Sequence, residues 1–139
     1  MRRALPLLPL ALLIAACGPD DVTVDRLQTS LQTSFDRLYV RQQARLGTAG
    51  LSEEAVSARA SCAKPGSASR SGAGEWTCTL RWFAADGSPL EADYDVSAKA
   101  GGCWTATGQQ AVVGAPELSA PDGSRFVNPV YGIDGCFGT

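Results

Sequence analysis

The sequence predicts an α+β domain: an N-terminal amphipathic helix packed on a small antiparallel β-sheet, a meander of about four strands, braced by two disulfides. Three observations lead there. Apolar residues recur at helical spacing between Val22 and Leu46. Two alternating runs flank an Asp-Gly turn between Glu75 and Ala98. Four cysteines, Cys62, Cys78, Cys103 and Cys136, stand singly from the middle of the chain to its end. Residues 22–139 make one domain's length, enough for a modest core.

The helix comes first. Val24, Leu27, Leu31, Phe35, Leu38 and Leu46 draw one apolar stripe. Thr23 is placed to cap its start, Asp25 lies in the first turn, Arg41 and Arg45 lie near the end, and Gly47 suits the position just beyond it. Gln28, Gln32, Asp36 and Gln43 fall off the stripe and read as a solvated face. Such a face, poor in Lys, suits packing on a sheet better than lying on a bilayer. Residues 48–55 connect onward, with Ser52 able to cap a short turn at Glu53 and Glu54.

Val56, Ala58, Ala60 and Cys62 alternate, which fits a short strand, though the same stretch could extend a helical turn. The run 65–74 has no apolar period and reads as a mobile loop, either a linker or an adaptable recognition loop. It is no phosphate cradle, because the GK[ST] ending and a following helix are missing.

The hairpin carries the strongest structural signal. Trp76, Cys78, Leu80 and Trp82 share one face of its first strand, and Leu90, Ala92, Tyr94 and Val96 one face of its second. A two-residue Asp86-Gly87 loop would set Trp82 against Glu91 and mix the faces. A three-residue loop, with Gly87 left-handed, pairs Trp82 with Leu90, Leu80 with Ala92 and Trp76 with Val96, and sets Arg81 opposite Glu91. The second register is expected, with only Phe83 out of place.

Gly101-Gly102 makes the next turn and 103–107 a further strand, followed by a Pro/Gly-containing tail. If Cys62 and Cys78 sit on antiparallel neighbours, a bond between them closes a loop of about 15 residues, a constraint of about 3 kcal/mol. In a meander Cys78 and Cys103 lie two strands apart, about 10 Å, too far to bond. The preferred pairs are therefore Cys62–Cys78 and Cys103–Cys136, although spacing alone leaves the other connectivities open.

The start of the chain has a different character. Arg2 and Arg3 precede an apolar stretch that ends Leu13-Ile14-Ala15-Ala16-Cys17. About thirteen apolar residues make a helix of about 20 Å, short of the roughly 30 Å hydrocarbon core. This arrangement resembles the signal of a bacterial lipoprotein, with residues 1–16 as signal peptide and 17–21 as anchor and tether. The resemblance implies that the Cys17 thiol receives a diacylglyceryl group and that the signal is cut before it; in such proteins the new amino terminus is often acylated too. It also implies a cell-membrane protein facing outside the cytoplasm. Two or more chains hold firmly, since each buried methylene adds roughly 0.8 kcal/mol. Assigning Cys17 to lipid leaves an even cysteine set, as expected of an exported disulfide-bonded domain. The W-x-C-x-L hairpin with its Asp-Gly turn, and the ending Asn128 to Phe137, resemble small lipoprotein domains of actinobacteria with no settled activity.

Composition narrows the function classes. Without Arg2 and Arg3 the chain has ten basic residues against fourteen acidic ones, about −4, which disfavours nucleic acid as a partner. There is no histidine, so Ser-His-Asp and Cys-His catalysis are excluded. Zinc would need all four thiolates, which lack paired CxxC spacing, and no cofactor is expected. Glu91, Asp93 and Asp95 project from one strand face at roughly 7 Å steps, a spacing open to carboxylate hydrolysis or calcium, but more simply a solvated face with Arg81 as partner. Trp104, Tyr131 and Phe137 are the candidate binding surface, able to stack on a sugar or a protein if exposed. The reading is a tethered binding or accessory domain for an envelope protein or small ligand. The alternatives are a protease-inhibitor-like domain using 64–74 or 111–124 as reactive loop, and a carboxylate-based hydrolase.

Overall fold

The computed structural model describes residues 21–137. Cys17 and the signal-peptide reading of residues 1–16 lie outside the described residues. The chain forms α1 (Val24–Arg45), α2 (Glu53–Val56), β1 (Arg59–Ala63), β2 (Gly74–Phe83), β3 (Pro89–Ala98), β4 (Cys103–Gly108), α3 (Gln110–Val113), β5 (Glu117–Ser119), β6 (Arg125–Val127) and β7 (Gly132–Cys136). An antiparallel sheet in the order β1-β2-β3-β4-β7 carries α1 on one face, and β5-β6 is a separate two-stranded ribbon. The sheet thus has five strands rather than about four. The tail itself supplies the fifth, after the ribbon has intervened.

α1 begins where its chemistry dictates. The Thr23 hydroxyl accepts from the Arg26 N–H (3.3 Å), and Asp25 sits in the first turn. It ends at Leu46, with Gly47 left-handed beyond it. Val24, Leu27, Leu31, Phe35 and Tyr39 are buried, each side chain contributing about 1.5–3 kcal/mol. Leu38 is only half-buried and Leu46 is exposed, because Tyr39 and Gln42 turn inward at the last two turns instead. Phe35 packs on Tyr39, Trp82 and Tyr94 with ring centroids 4.8–6.2 Å apart.

The hairpin has the three-residue register: Trp82 faces Leu90, Leu80 faces Ala92, Trp76 faces Val96 and Arg81 faces Glu91. Ala84 and Ser88 close the turn, with Gly87 at φ 82°. Odd-numbered residues of β2 and β3 point away from α1, so the sheet has one packed face and one open polar face.

Both disulfides are present as preferred, Cys62–Cys78 and Cys103–Cys136. Each joins residues directly opposite one another on neighbouring strands. Cys62–Cys78 is buried under α1, whereas Cys103–Cys136 lies on the open face. One staple therefore fastens each face.

The segment between β4 and β7 is organised around Asn128, which is 1% exposed. Its amide nitrogen donates to the Val113 and Ala115 carbonyls (2.8 and 2.9 Å), and its oxygen accepts from Gln42 Nε2 (2.9 Å) and the Val130 N–H (3.2 Å). All four bonds of the side chain are spent on holding irregular backbone to the end of α1.

Candidate functional site

The binding surface expected from Trp104, Tyr131 and Phe137 does not form. Trp104 is 1% exposed, because the Gly101-Gly102 turn pairs Ala98 with Trp104 and puts the indole on the packed face. Its Nε1 donates to the Ser30 hydroxyl (3.0 Å), and its ring lies over Gly135, where a Cβ would stand 2.6 Å away. Phe137 is buried beneath the Arg26 guanidinium, 4.9 Å from the ring centroid, and Tyr131 is half-buried against the core. The three aromatics build the β4–β7 side of the core instead of a surface.

Glu91, Asp93 and Asp95 do share the open face, and each has a neighbour there. Glu91 pairs with Arg81, Asp93 accepts from the Thr79 hydroxyl (2.8 Å), and Asp95 lies between Thr77 and Thr107. Beyond them, Phe83 is 47% exposed opposite Pro89, beside a depression that Arg59 and Arg81 also line. Among the described residues no group of three or more His, Cys, Asp or Glu is placed to hold a metal ion.

The two loops weighed as recognition elements are tied down. Ser71 bridges to Thr23, the Val24 N–H donates to the Arg70 carbonyl (2.9 Å), and Lys64 Nζ donates to the Ala73 carbonyl (2.8 Å). The stretch 111–124 is no single loop but holds most of α3, all of β5 and the ribbon's turn.

The edges of the sheet are the informative places. At β1, residues 59, 61 and 63 bond to β2, so the N–H groups of Ala58, Ala60 and Cys62 point outward. They end on α1: Ala58 on Asp36 Oδ1 (2.8 Å), Ala60 on Gln32 Oε1 (2.8 Å) and Cys62 on Gln28 Oε1 (3.0 Å). The reading of Gln28, Gln32 and Asp36 as a solvated face is therefore corrected; they close the sheet edge. The match is metrical. Four residues of helix rise about 6.0 Å, and alternate N–H groups of a strand lie about 6.6 Å apart, so one acceptor per helical step meets one donor per strand step. Burial of Asp36, against the compensating Ala58 bond, raises its carboxyl above the ordinary carboxylate range.

β7 is finished differently. The Phe137 N–H donates to the Gly102 carbonyl and the Gly108 N–H to the Tyr131 carbonyl (both 2.8 Å), so odd-numbered residues face β4. The backbone groups of Gly132, Asp134 and Cys136 then face outward, and no described residue bonds to them. Between this edge and the near flank of α1 runs a groove of about 640 Å³, walled by Thr29, Ser30, Thr33 and Ser34 on the helix and by 134–137 on the strand. Arg37 lines it on one side of these hydroxyls along α1, and Asp25 and Arg26 on the other. This polar groove beside an open strand edge is the candidate site.

Comparison with protein families, with curated proteins and with solved structures finds no match for this chain. No described helix is long and apolar enough to cross a membrane.

Proposed function

We propose that the protein is a lipid-anchored extracytoplasmic lipoprotein whose domain binds a partner and carries out no chemistry of its own. The observation that carries the anchor is the run Leu13-Ile14-Ala15-Ala16-Cys17 behind a short basic start. Two disulfides in the domain that follows support an oxidising compartment. The groove between α1 and β7 supports binding, since a concave surface lined by hydroxyls and unsatisfied backbone suits recognition.

Intact mass of protein extracted from membranes tests the anchor. A chain beginning at Cys17 and carrying acyl chains is expected, and Cys17→Ser is expected to leave the protein in the soluble fraction or uncleaved. An unmodified thiol at Cys17, or a mature chain starting elsewhere, would overturn it. Binding is tested by placing a photoreactive residue at Thr33 in living cells. A single discrete cross-linked partner is expected there, and its absence at Thr33 and at an open-face control such as Phe83 would reject a binding role.

A further inference from the structure

We propose that β7 accepts an extended, basic peptide segment of a partner protein as a sixth strand of the sheet, seated in the groove beside α1. This rests on the binding reading above and adds the place and the chemistry of the partner.

Both sheet edges turn backbone donors outward, but their neighbours differ. At β1 the helix covers the outward N–H groups with Gln28, Gln32 and Asp36. At β7 the same helix runs alongside yet stands back, and the outward groups of Gly132, Asp134 and Cys136 meet no described residue. An open ladder is a template for another strand. In strand addition the main chain supplies affinity and alternate side chains supply specificity. A strand added about 4.8 Å beyond β7 falls into the groove. Alternate side chains would then face the flank of α1, where Arg26 and Arg37 accompany the hydroxyls and small uncharged polar residues fit, and the open face of the sheet, where Asp134 stands.

Charge selects the occupant. Asp134 is directly opposite Thr105, whose row continues through Ser97 to Glu75, on a face that also presents Asp95, and residues 17–139 carry an excess of acidic side chains. A Lys or Arg set beside Asp134 is favoured, as opposite charges across an antiparallel pair are, and a basic segment is drawn in by the overall field. A second copy of the chain fits less well, because two-fold pairing centred on β7 sets two Asp134 carboxylates side by side.

The probe is a fluorescein-labelled decapeptide alternating Lys and Thr, titrated against the full chain. Its control has Pro in place of two internal Lys residues, whose N–H groups would face β7, with a Lys added at each end to keep the charge equal, and so has no capacity to extend the ladder. The Lys-Thr peptide is expected to bind and to slow hydrogen exchange at the N–H groups of Gly132, Asp134 and Cys136. The Pro control is expected to bind at least tenfold more weakly. In the protein, Gly132→Pro removes an outward donor and no internal bond, so it is expected to weaken binding at least tenfold while leaving the unfolding midpoint in place. Asp134→Lys is expected to reverse the preference toward a Glu-Thr peptide, a readout that does not depend on the Pro variant folding. Equal binding of the Pro control, exchange slowed only elsewhere, or binding by neither peptide would overturn strand addition. If no peptide binds while Thr33 still cross-links a partner in cells, strand addition falls and the binding reading stands. If Thr33 and Phe83 both capture nothing in cells, the binding reading falls and strand addition to a partner falls with it.

Discussion

Replacing Gln28 and Gln32 together by Met tests whether α1 closes the β1 edge. Methionine keeps the length and the helix propensity of glutamine but offers no oxygen to the Cys62 and Ala60 N–H groups, which now donate at 3.0 and 2.8 Å. A backbone donor left without a partner costs about 1–3 kcal/mol. Both glutamines are half-buried, so water reaches the vacated sites in part and the low end applies. The expected loss is about 2 kcal/mol for the pair. That is a sizeable share of the roughly 5–15 kcal/mol that holds a domain together, and it lowers the melting temperature by about 8 °C at this chain length. Urea unfolding of the full chain reads the loss, and native-state hydrogen exchange locates it. The amides of Ala60 and Cys62 should exchange faster, while Ser61 and Ala63, which face β2, should not. An unchanged midpoint together with unchanged exchange at these two amides would refute the edge-closing role.

Four further outcomes are expected. Gly135→Ala puts a Cβ 2.6 Å from the Trp104 ring, so overpacking should cost about 1–3 kcal/mol and perturb tryptophan fluorescence; unchanged unfolding would mean that the indole shifts freely. Asn128→Ala strands the buried Val130 N–H and the half-buried Ala115 carbonyl, and should cost about 2–4 kcal/mol by urea titration. Asp36 has a folded pKa raised above 3.8, so the native state holds the proton more tightly than the unfolded chain. Stability from this group therefore falls as pH rises from 3.8 through the raised value, and Asp36→Asn, which keeps the acceptor for Ala58, should flatten that part of the pH profile and match or exceed the parent stability at pH 7. A parent and variant with parallel profiles would contradict this. Limited reduction followed by alkylation and mass mapping should label Cys103 and Cys136 before Cys62 and Cys78, because the first pair is exposed and the second buried.

Much of this fold is legible in the sequence where one local pattern decides the outcome. The Thr23 cap, the apolar stripe from Val24 to Phe35, the hairpin register and the cysteine pairs all follow from periodicity, turn length and strand spacing. Side chains whose role depends on a distant neighbour are not legible in this way. Gln28, Gln32 and Asp36 look like a solvated face until β1 is laid beside them, and Trp104 looks free until the turn at Gly101-Gly102 is built. One signal was readable and carries the β5–β6 ribbon. Ala120-Pro121-Asp122-Gly123-Ser124 matches Ala84-Ala85-Asp86-Gly87-Ser88 at four of five positions. Both turns close with the same backbone bonds and the same aspartate accepting from the following serine, a bond that holds each carboxyl below the ordinary range. The groove is the least legible part, because it is a gap between two elements rather than a property of either.

The unequal finish of the sheet's edges also sets a valency. A sheet with two open edges can add strands at both ends, and such head-to-tail contacts grow into filaments unless they close. Here the β1 side is terminated from within by Gln28, Gln32 and Asp36, so any strand that joins at β7 joins once. Complexes made through this edge are limited to one strand per molecule, and chains held together at high density on a surface gain no route to polymerise by continuing the sheet through β1.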